Sequence, residues 1–223
     1  MFTTFEGDNT VLLQLVAKGL LTSYRDHVGD LDTLGMVRFV ADSVVDALVE
    51  RTAARALLDR LSAAGPGRGD EVDLLDRSWQ RRMFVDREAH LVEGLARRLR
   101  RVGRSGDVFA GFNAAQPHLL ATARAHVDRL VLEAFVDGIE RCPDPAAAAL
   151  LDQVCDLYAL STIEAERGWY LEHGRLTPGR SKALTRTVED LCGELRPHAR
   201  TLVDAFGIPD AWLAAEIARD DVG

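Results

Sequence analysis

Glu6 and the residues after it are the part of this chain best suited to chemistry. The run Phe5-Glu6-Gly7-Asp8-Asn9-Thr10 sets a carboxylate beside a glycine, followed by three short polar side chains. Glycine lets the backbone turn tightly without a Cβ penalty. From Val11 to Leu21 apolar residues recur at helical spacing, with Leu12, Leu15, Val16 and Leu20 along one stripe. Asp8 or Asn9 can cap that helix by accepting from its first unpaired N–H groups. A carboxylate held rigidly at the mouth of a helix can act as a general acid or base. The same residues also allow a plainer reading, a surface carboxylate in a capped loop.

The rest of the sequence offers little competing chemistry. His27, His90, His118, His126, His173 and His198 have no cysteine or carboxylate at zinc-ligand spacing, so no metal is expected. His118 and His126 lie two turns apart on one expected helix, but nothing completes a site. Surface or satisfied core histidines are expected. Cys142, Cys155 and Cys192 are odd in number and widely spaced, which reads as buried, reduced thiols. No P-loop, dinucleotide glycine fingerprint or nucleophile elbow is present. Glu164 and Glu166 are expected on a solvated face, and Trp79, Trp169 and Trp212 as core anchors.

The elements that must position Glu6 read as helices throughout. After the first helix, His27-Val28-Gly29-Asp30 is a stop and loop. A second helix is expected from about Thr33 to Ala64, with Val37, Val40, Val44 and Leu48 on one face. Gly65-Pro66-Gly67-Arg68-Gly69 breaks the chain at 65–69. A third helix, about Glu71 to Val102, carries Leu75, Trp79, Phe84, Leu91, Leu95 and Leu99, and ends in a cluster of arginines. Gln116-Pro117 starts the next helix or kinks a longer one. Val127, Leu130, Val131, Ala134, Phe135 and Ile139 form its expected buried stripe. Pro143 and Pro145 end it near Arg141. One further helix runs from Pro145 to Gly174. Another starts at Thr177-Pro178 and bends at Pro197, and a short one spans Trp212 to Ala218. No period-2 strand pattern appears, so the fold class is all-α, a helical bundle.

Composition agrees with a soluble helical domain. Of 223 residues, 47% are apolar and 28% charged, and a chain of this length can bury a sizeable core. The net charge of −8 argues against a general nucleic-acid binder. No uninterrupted apolar run approaches the roughly 20 residues of a membrane span. The first residues lack the basic and apolar regions of a secretory signal. The last three, Asp221-Val222-Gly223, are not a Ser-Lys-Leu peroxisomal address. A cytoplasmic location is therefore expected.

Thr4-Phe5-Glu6-Gly7-Asp8-Asn9-Thr10-Val11-Leu12-Leu13-Gln14 closely resembles the Glu-Gly-Asp-Asn-Thr segment of the acyl-CoA oxidases. These are flavin-dependent relatives of the acyl-CoA dehydrogenases, whose matching segment usually begins Tyr-Glu-Gly-Thr. More distant similarities follow at Leu157-Tyr158-Ala159-Leu160, Gly168-Trp169-Tyr170-Leu171-Glu172, Leu195-Arg196-Pro197-His198-Ala199 and Leu202-Val203-Asp204-Ala205-Phe206.

The resemblance implies that Glu6 removes the α-proton of an acyl-CoA. It also implies that Asp8, Asn9 and Thr10 line an FAD site, and that Phe5 and Gly7 border the substrate. The implied reaction gives a trans-2-enoyl-CoA in fatty acid β-oxidation, with dioxygen reoxidising the flavin to yield hydrogen peroxide. A dehydrogenase would pass its electrons to a carrier protein instead, and Asp-Asn after the glycine favours the oxidase branch. The arginines at 97–104 then read either as a solvated helix end, favoured by the macrodipole, or as a phosphate patch for coenzyme A.

In the family a flavin-contacting region and a β-domain precede the motif, which here begins almost at Met1. Residues 1–223 are therefore expected to form the C-terminal helical portion, with 1–28 holding the glutamate segment and first helix. A homodimer, or a partner polypeptide bearing the missing domains, would complete it. The alternative is a non-catalytic helical module that dimerises or binds a partner.

Overall fold

Short polar side chains and prolines set where the helices begin. In the computed structural model, which describes residues 9–22, 73–104, 108–209 and 212, Asp76 accepts from the Trp79 N–H at 2.8 Å. Asp144 accepts from the Ala146 N–H at 2.9 Å, and the Thr177 hydroxyl from the Arg180 N–H at 3.3 Å. Each satisfies a donor that the first helical turn leaves unpaired. The Ser78 hydroxyl and the Trp79 N–H hold the Asp76 carboxyl below its ordinary pKa. Pro145 and Pro178 take the opening positions, where a missing N–H costs nothing.

The helices are α1 (Thr10–Thr22), α2 (Arg77–Arg104), α3 (Val108–Glu140), α4 (Pro145–Ala165), α5 (Arg167–Glu172), α6 (Pro178–Leu195) and α7 (Ala199–Asp204). A 3-10 turn, Arg196–His198, joins α6 to α7 at the bend expected from Pro197. Among the described residues there is no strand, and the all-α expectation holds. The expected helix from Thr33 to Ala64 and the breaker at 65–69 lie outside the described residues. So does the final expected helix, apart from Trp212.

Two boundaries differ from the expected ones, and a third point resolves an open alternative. The third expected helix starts at Arg77 because Asp76 caps it, leaving Leu75 in the preceding turn and 43% exposed. α3 continues through Pro117, which agrees with the expected alternative of a proline inside a longer helix. The expected helix from Pro145 to Gly174 divides at Glu166, whose φ of −103° and ψ of 13° lie off helical values.

Two apolar cores are strung along the α2–α3 pair. One packs Trp79, Met83 and Phe84 of α2 with Leu132 and Val136 of α3. Cys155, Ala159, Leu160 and Ile163 of α4, Tyr170 of α5, and Leu184 and Leu191 of α6 complete it. The other joins Leu95 and Leu99 of α2 to Ala115, Leu119 and Ala123 of α3 and Ala17 of α1. The start of α2 thus meets the end of α3, and the reverse, so the two helices are antiparallel. By length and composition α4 is apolar enough to cross a membrane, with a mean hydropathy of 1.2. Here it is a core helix: Ala159, Leu160 and Ile163 are fully buried, and Asp152 and Asp156 pair with Arg77 of α2.

The expected stripe on α3 is displaced. Leu130 is 46% exposed and Ala134 is exposed, while Thr122, Ala123, Ala125, Leu132 and Val136 are buried. α3 contacts α1, α2 and α4, and its buried positions include Ala115, Thr122, Ala123 and Ala125. A pattern built on large apolar residues does not register such positions.

Candidate active site

Only the last two of the predicted site residues lie within the described structure. Asn9 precedes the first turn of α1, and its backbone carbonyl accepts from the Leu13 N–H at 3.0 Å, which makes it the capping residue. Thr10 is the first helical residue, and both are half-buried. Phe5, Glu6, Gly7 and Asp8 lie outside the described residues. The structure therefore brings Asn9 and Thr10 together at one helix start, where their amide and hydroxyl provide both donors and acceptors. Such a set can both donate to and accept from a polar ligand, and no acidic side chain in the first turn of α1 opposes an anionic one.

What holds this helix start in place is apolar. Ala17 is 1% exposed in the core shared with α2 and α3, and Leu13, Val16 and Phe112 pack against that core. Val11, Leu15 and Phe109 remain exposed, at 63%, 59% and 73%. The helix that follows the Glu6 segment in sequence is thus anchored along one side and leaves apolar side chains uncovered.

Below it, α2 and α3 are joined by polar contacts that the sequence reading did not anticipate. Glu88 of α2 bonds His126 Nδ1 at 2.7 Å and also pairs with Arg129, which in turn binds Glu133 at 2.5 Å. The Thr122 hydroxyl reaches the Leu91 carbonyl of α2 at 3.4 Å as well as the His118 carbonyl of its own helix at 2.8 Å. His118 lies over Gly94: a Cβ at that glycine would come within 2.6 Å of His118 Nε2. Burial, and then Arg98, push the His118 imidazole below its ordinary pKa.

Around the first core, Gln80 is fully buried and donates to Asp156 at 2.8 Å and to the Leu74 carbonyl at 3.0 Å. Burial raises the Asp156 pKa, and the Gln80 amide partly offsets that. Arg87, 7% exposed, meets Glu166 at 2.8 Å. The Tyr170 hydroxyl donates to the Met83 carbonyl at 3.2 Å, and burial pushes its pKa up.

These contacts correct several expectations. Glu166 is not simply solvated, because it neutralises a buried guanidinium from the neighbouring helix. Glu164 accepts from the Thr185 hydroxyl at 2.6 Å. Of the tryptophans, Trp79 is buried and Trp169 half-buried, whereas Trp212 is 77% exposed beyond the end of α7. All three cysteines are free, but only Cys155 is buried, where its thiol is pushed up to about 11; Cys192 is exposed. His118 Nε2 is buried with no hydrogen-bond partner among the described atoms. Arg97, Arg98 and Arg101 are exposed, and Arg97 pairs with Glu93 at 2.8 Å. No group of three or more metal-binding side chains occurs among the described residues.

The described helices form an all-α bundle whose leading helix follows a Glu-Gly-Asp-Asn segment in the sequence. Residues 77–221 match the acyl-CoA oxidase family model, and the chain belongs to that family. It is 33% identical to the peroxisomal acyl-coenzyme A oxidase 2 of Arabidopsis thaliana, over 98% of this chain and 30% of that protein. It is 34% identical to the acyl-coenzyme A oxidase-like protein of Mus musculus, over 96% of this chain and 32% of the relative. Among solved structures, acyl-CoA oxidase 3 of Yarrowia lipolytica superposes with a TM-score of 0.68 at 21% identity, covering 98% of this chain and 29% of that one. Acyl-CoA oxidase 1 of Arabidopsis thaliana gives 0.64 at 22%, over 97% of this chain and 30% of that one. The chain thus spans under a third of the length of these relatives. The expected cytoplasmic location is corrected: relatives from Arabidopsis thaliana and Phascolarctos cinereus are named peroxisomal.

Proposed function

We propose that this chain supplies the catalytic-base segment and helical domain of an FAD-dependent acyl-CoA oxidase acting on fatty acyl-CoA in peroxisomes. The observation that carries this reading is the run Glu6-Gly7-Asp8-Asn9-Thr10, which leads directly into α1 in a chain of the acyl-CoA oxidase family. Residues 1–223 act as one helical unit, with 1–28 presenting the glutamate.

Glu6 takes the α-proton of the acyl-CoA. A carboxylate becomes a stronger base when desolvation disfavours its charge, and the acyl chain and the Phe5 ring would exclude water from it. Gly7 lets the backbone pass close to the substrate. Asp8, Asn9 and Thr10 would hold the flavin through their donors and acceptors. When bound, FAD supplies the acceptor for the β-hydrogen as hydride and returns the electrons to dioxygen. The product is the trans-2-enoyl-CoA.

In the assembled enzyme this helical unit packs against a flavin domain and a β-domain. The exposed Val11, Leu15 and Phe109 favour such a contact. The test is to co-express the chain with the flavin and β-domains of an acyl-CoA oxidase and to record the absorbance spectrum of the purified complex. A bound flavin that bleaches on adding acyl-CoA without oxygen supports the reading. A stable complex whose bound flavin does not respond to acyl-CoA overturns it.

A further inference from the structure

Three rings from two segments meet where α5 lies against α2. His90 comes from the middle of α2, Trp169 from α5, and His173 caps the end of α5. The His90 and His173 centroids are 4.4 Å apart with the rings at 74°. His90 meets Trp169 edge-on at 5.3 Å, and Trp169 stacks on His173 at 4.4 Å and 18°. His173 Nδ1 lies 2.8 Å from the Trp169 carbonyl, so an N–H there donates to the turn that carries the indole. None of these rings belongs to the proposed active site, and the inference stands independently of it.

We propose that this ring cluster is a pH-operated clasp, holding α5 and the turn after it on α2 while both imidazoles are neutral and loosening as they gain protons. Two imidazolium rings in contact repel each other, and the surroundings do not relieve that repulsion. From α2 the charged neighbours of His90 are Glu93 and Arg97, which already pair with each other at 2.8 Å. Asp86 of α2 pairs with Arg175, just past α5, at 3.3 Å. α3 contributes His118, itself a base, with Arg98 of α2 beside it. Arg167 and Glu172 of α5 are exposed. Glu93 and Asp86 therefore each bring their own cation, and Glu172 is solvated.

Burial, and then His173, lower the His90 pKa. A histidine whose folded pKa lies below its unfolded value leaves stability intact above about pH 6.5. Stability then declines as pH falls from there towards the folded pKa, because the unfolded chain takes up the proton more readily.

The clasp is tested by hydrogen exchange of the amides at 167–176 in the full chain, at about pH 7.5 and about pH 5.5, corrected for intrinsic exchange. Protection should fall at the lower pH in the wild type, by up to about tenfold, the limit for an imidazole of ordinary pKa that takes up its proton only in the open state. In the double variant His90→Phe, His173→Phe, which keeps rings but cannot be charged, it should hold constant. Equal protection at both pH values in the wild type, or an equal loss in the double variant, overturns the proposal. A second readout needs only the surface-exposed His173: replacing it with glutamine should raise the titration midpoint of His90, followed by the NMR signal of its ring. An unmoved midpoint also overturns it.

Discussion

Glycine at position 94 is required by its neighbour across the helix pair. A Cβ there would stand 2.6 Å from His118 Nε2, whose ring is wedged between α2 and α3. Alanine in a helix interior is worth up to about 1 kcal/mol over glycine, but overpacking costs about 1–3 kcal/mol. Gly94→Ala should therefore destabilise by about 1 kcal/mol, read from the denaturation midpoint. Gly138, on the same α3 and with nothing within 4 Å of its Cβ position, makes the contrast. Gly138→Ala should stabilise by a few tenths to about 1 kcal/mol.

The buried pair Arg87–Glu166 is asymmetric, since the arginine side chain is 8% exposed and the glutamate 33%. Glu166→Ala leaves a guanidinium in the interior without its carboxylate and should cost about 3 kcal/mol. Arg87→Met fills similar space and leaves only a carboxylate that water reaches, so it should cost clearly less. Equal losses in urea unfolding would contradict that assignment. The burial of Gln80 and Arg87 was not anticipated, although with Phe84 and Leu91 they recur at four, three and four residues along α2, because an apolar stripe does not count polar side chains. Their partners, Asp156 and Glu166, were not legible, since pairing across helices depends on packing that no local spacing encodes.

At the scale of elements, capping chemistry was the most readable part of the sequence. Pro143, Pro145 and Thr177-Pro178 marked the boundaries of α3, α4 and α6, and the structure keeps them. Asp144 was not singled out, although it accepts from both the Ala146 and Ala147 N–H groups. Asp144→Ala should lower stability by about 1 kcal/mol, measured by thermal unfolding, and Asp144→Asn should recover most of that. The face of α3 was less readable. Its buried positions facing α1 and α2 include Ala115, Thr122 and Ala123 beside Leu119, and small residues carry a weak apolar signal even when buried. The start of α2 was placed too early for a related reason: Leu75 continues the apolar pattern, but the Asp76 cap decides where the helix begins.

At the scale of the whole molecule, the all-α class and the family were both legible, the first from uniform helical periodicity and the second from the Glu6–Thr10 segment. The location was not, because the terminal residues that suggested a cytoplasmic protein say nothing of how the relatives are targeted. Val11, Leu15 and Phe109 at one end, with Val203, Phe206 and Ile208 at the other, are all more than half exposed. Apolar surface of this kind usually marks an interface, so the isolated chain should self-associate. Sedimentation velocity across a concentration series checks this, and a monomer throughout would contradict it. The central claim concerns the assembled enzyme and the base that Glu6 supplies. Glu6→Gln keeps the size and hydrogen-bonding capacity of the side chain and removes its proton acceptor, which typically slows such a step by about 10²- to 10⁴-fold. Stopped-flow bleaching of the flavin by acyl-CoA without oxygen, wild type beside Glu6→Gln at equal flavin content, measures that step directly. The variant should reduce its flavin at least a hundredfold more slowly while still binding acyl-CoA, and reduction at the wild-type rate would contradict the assignment.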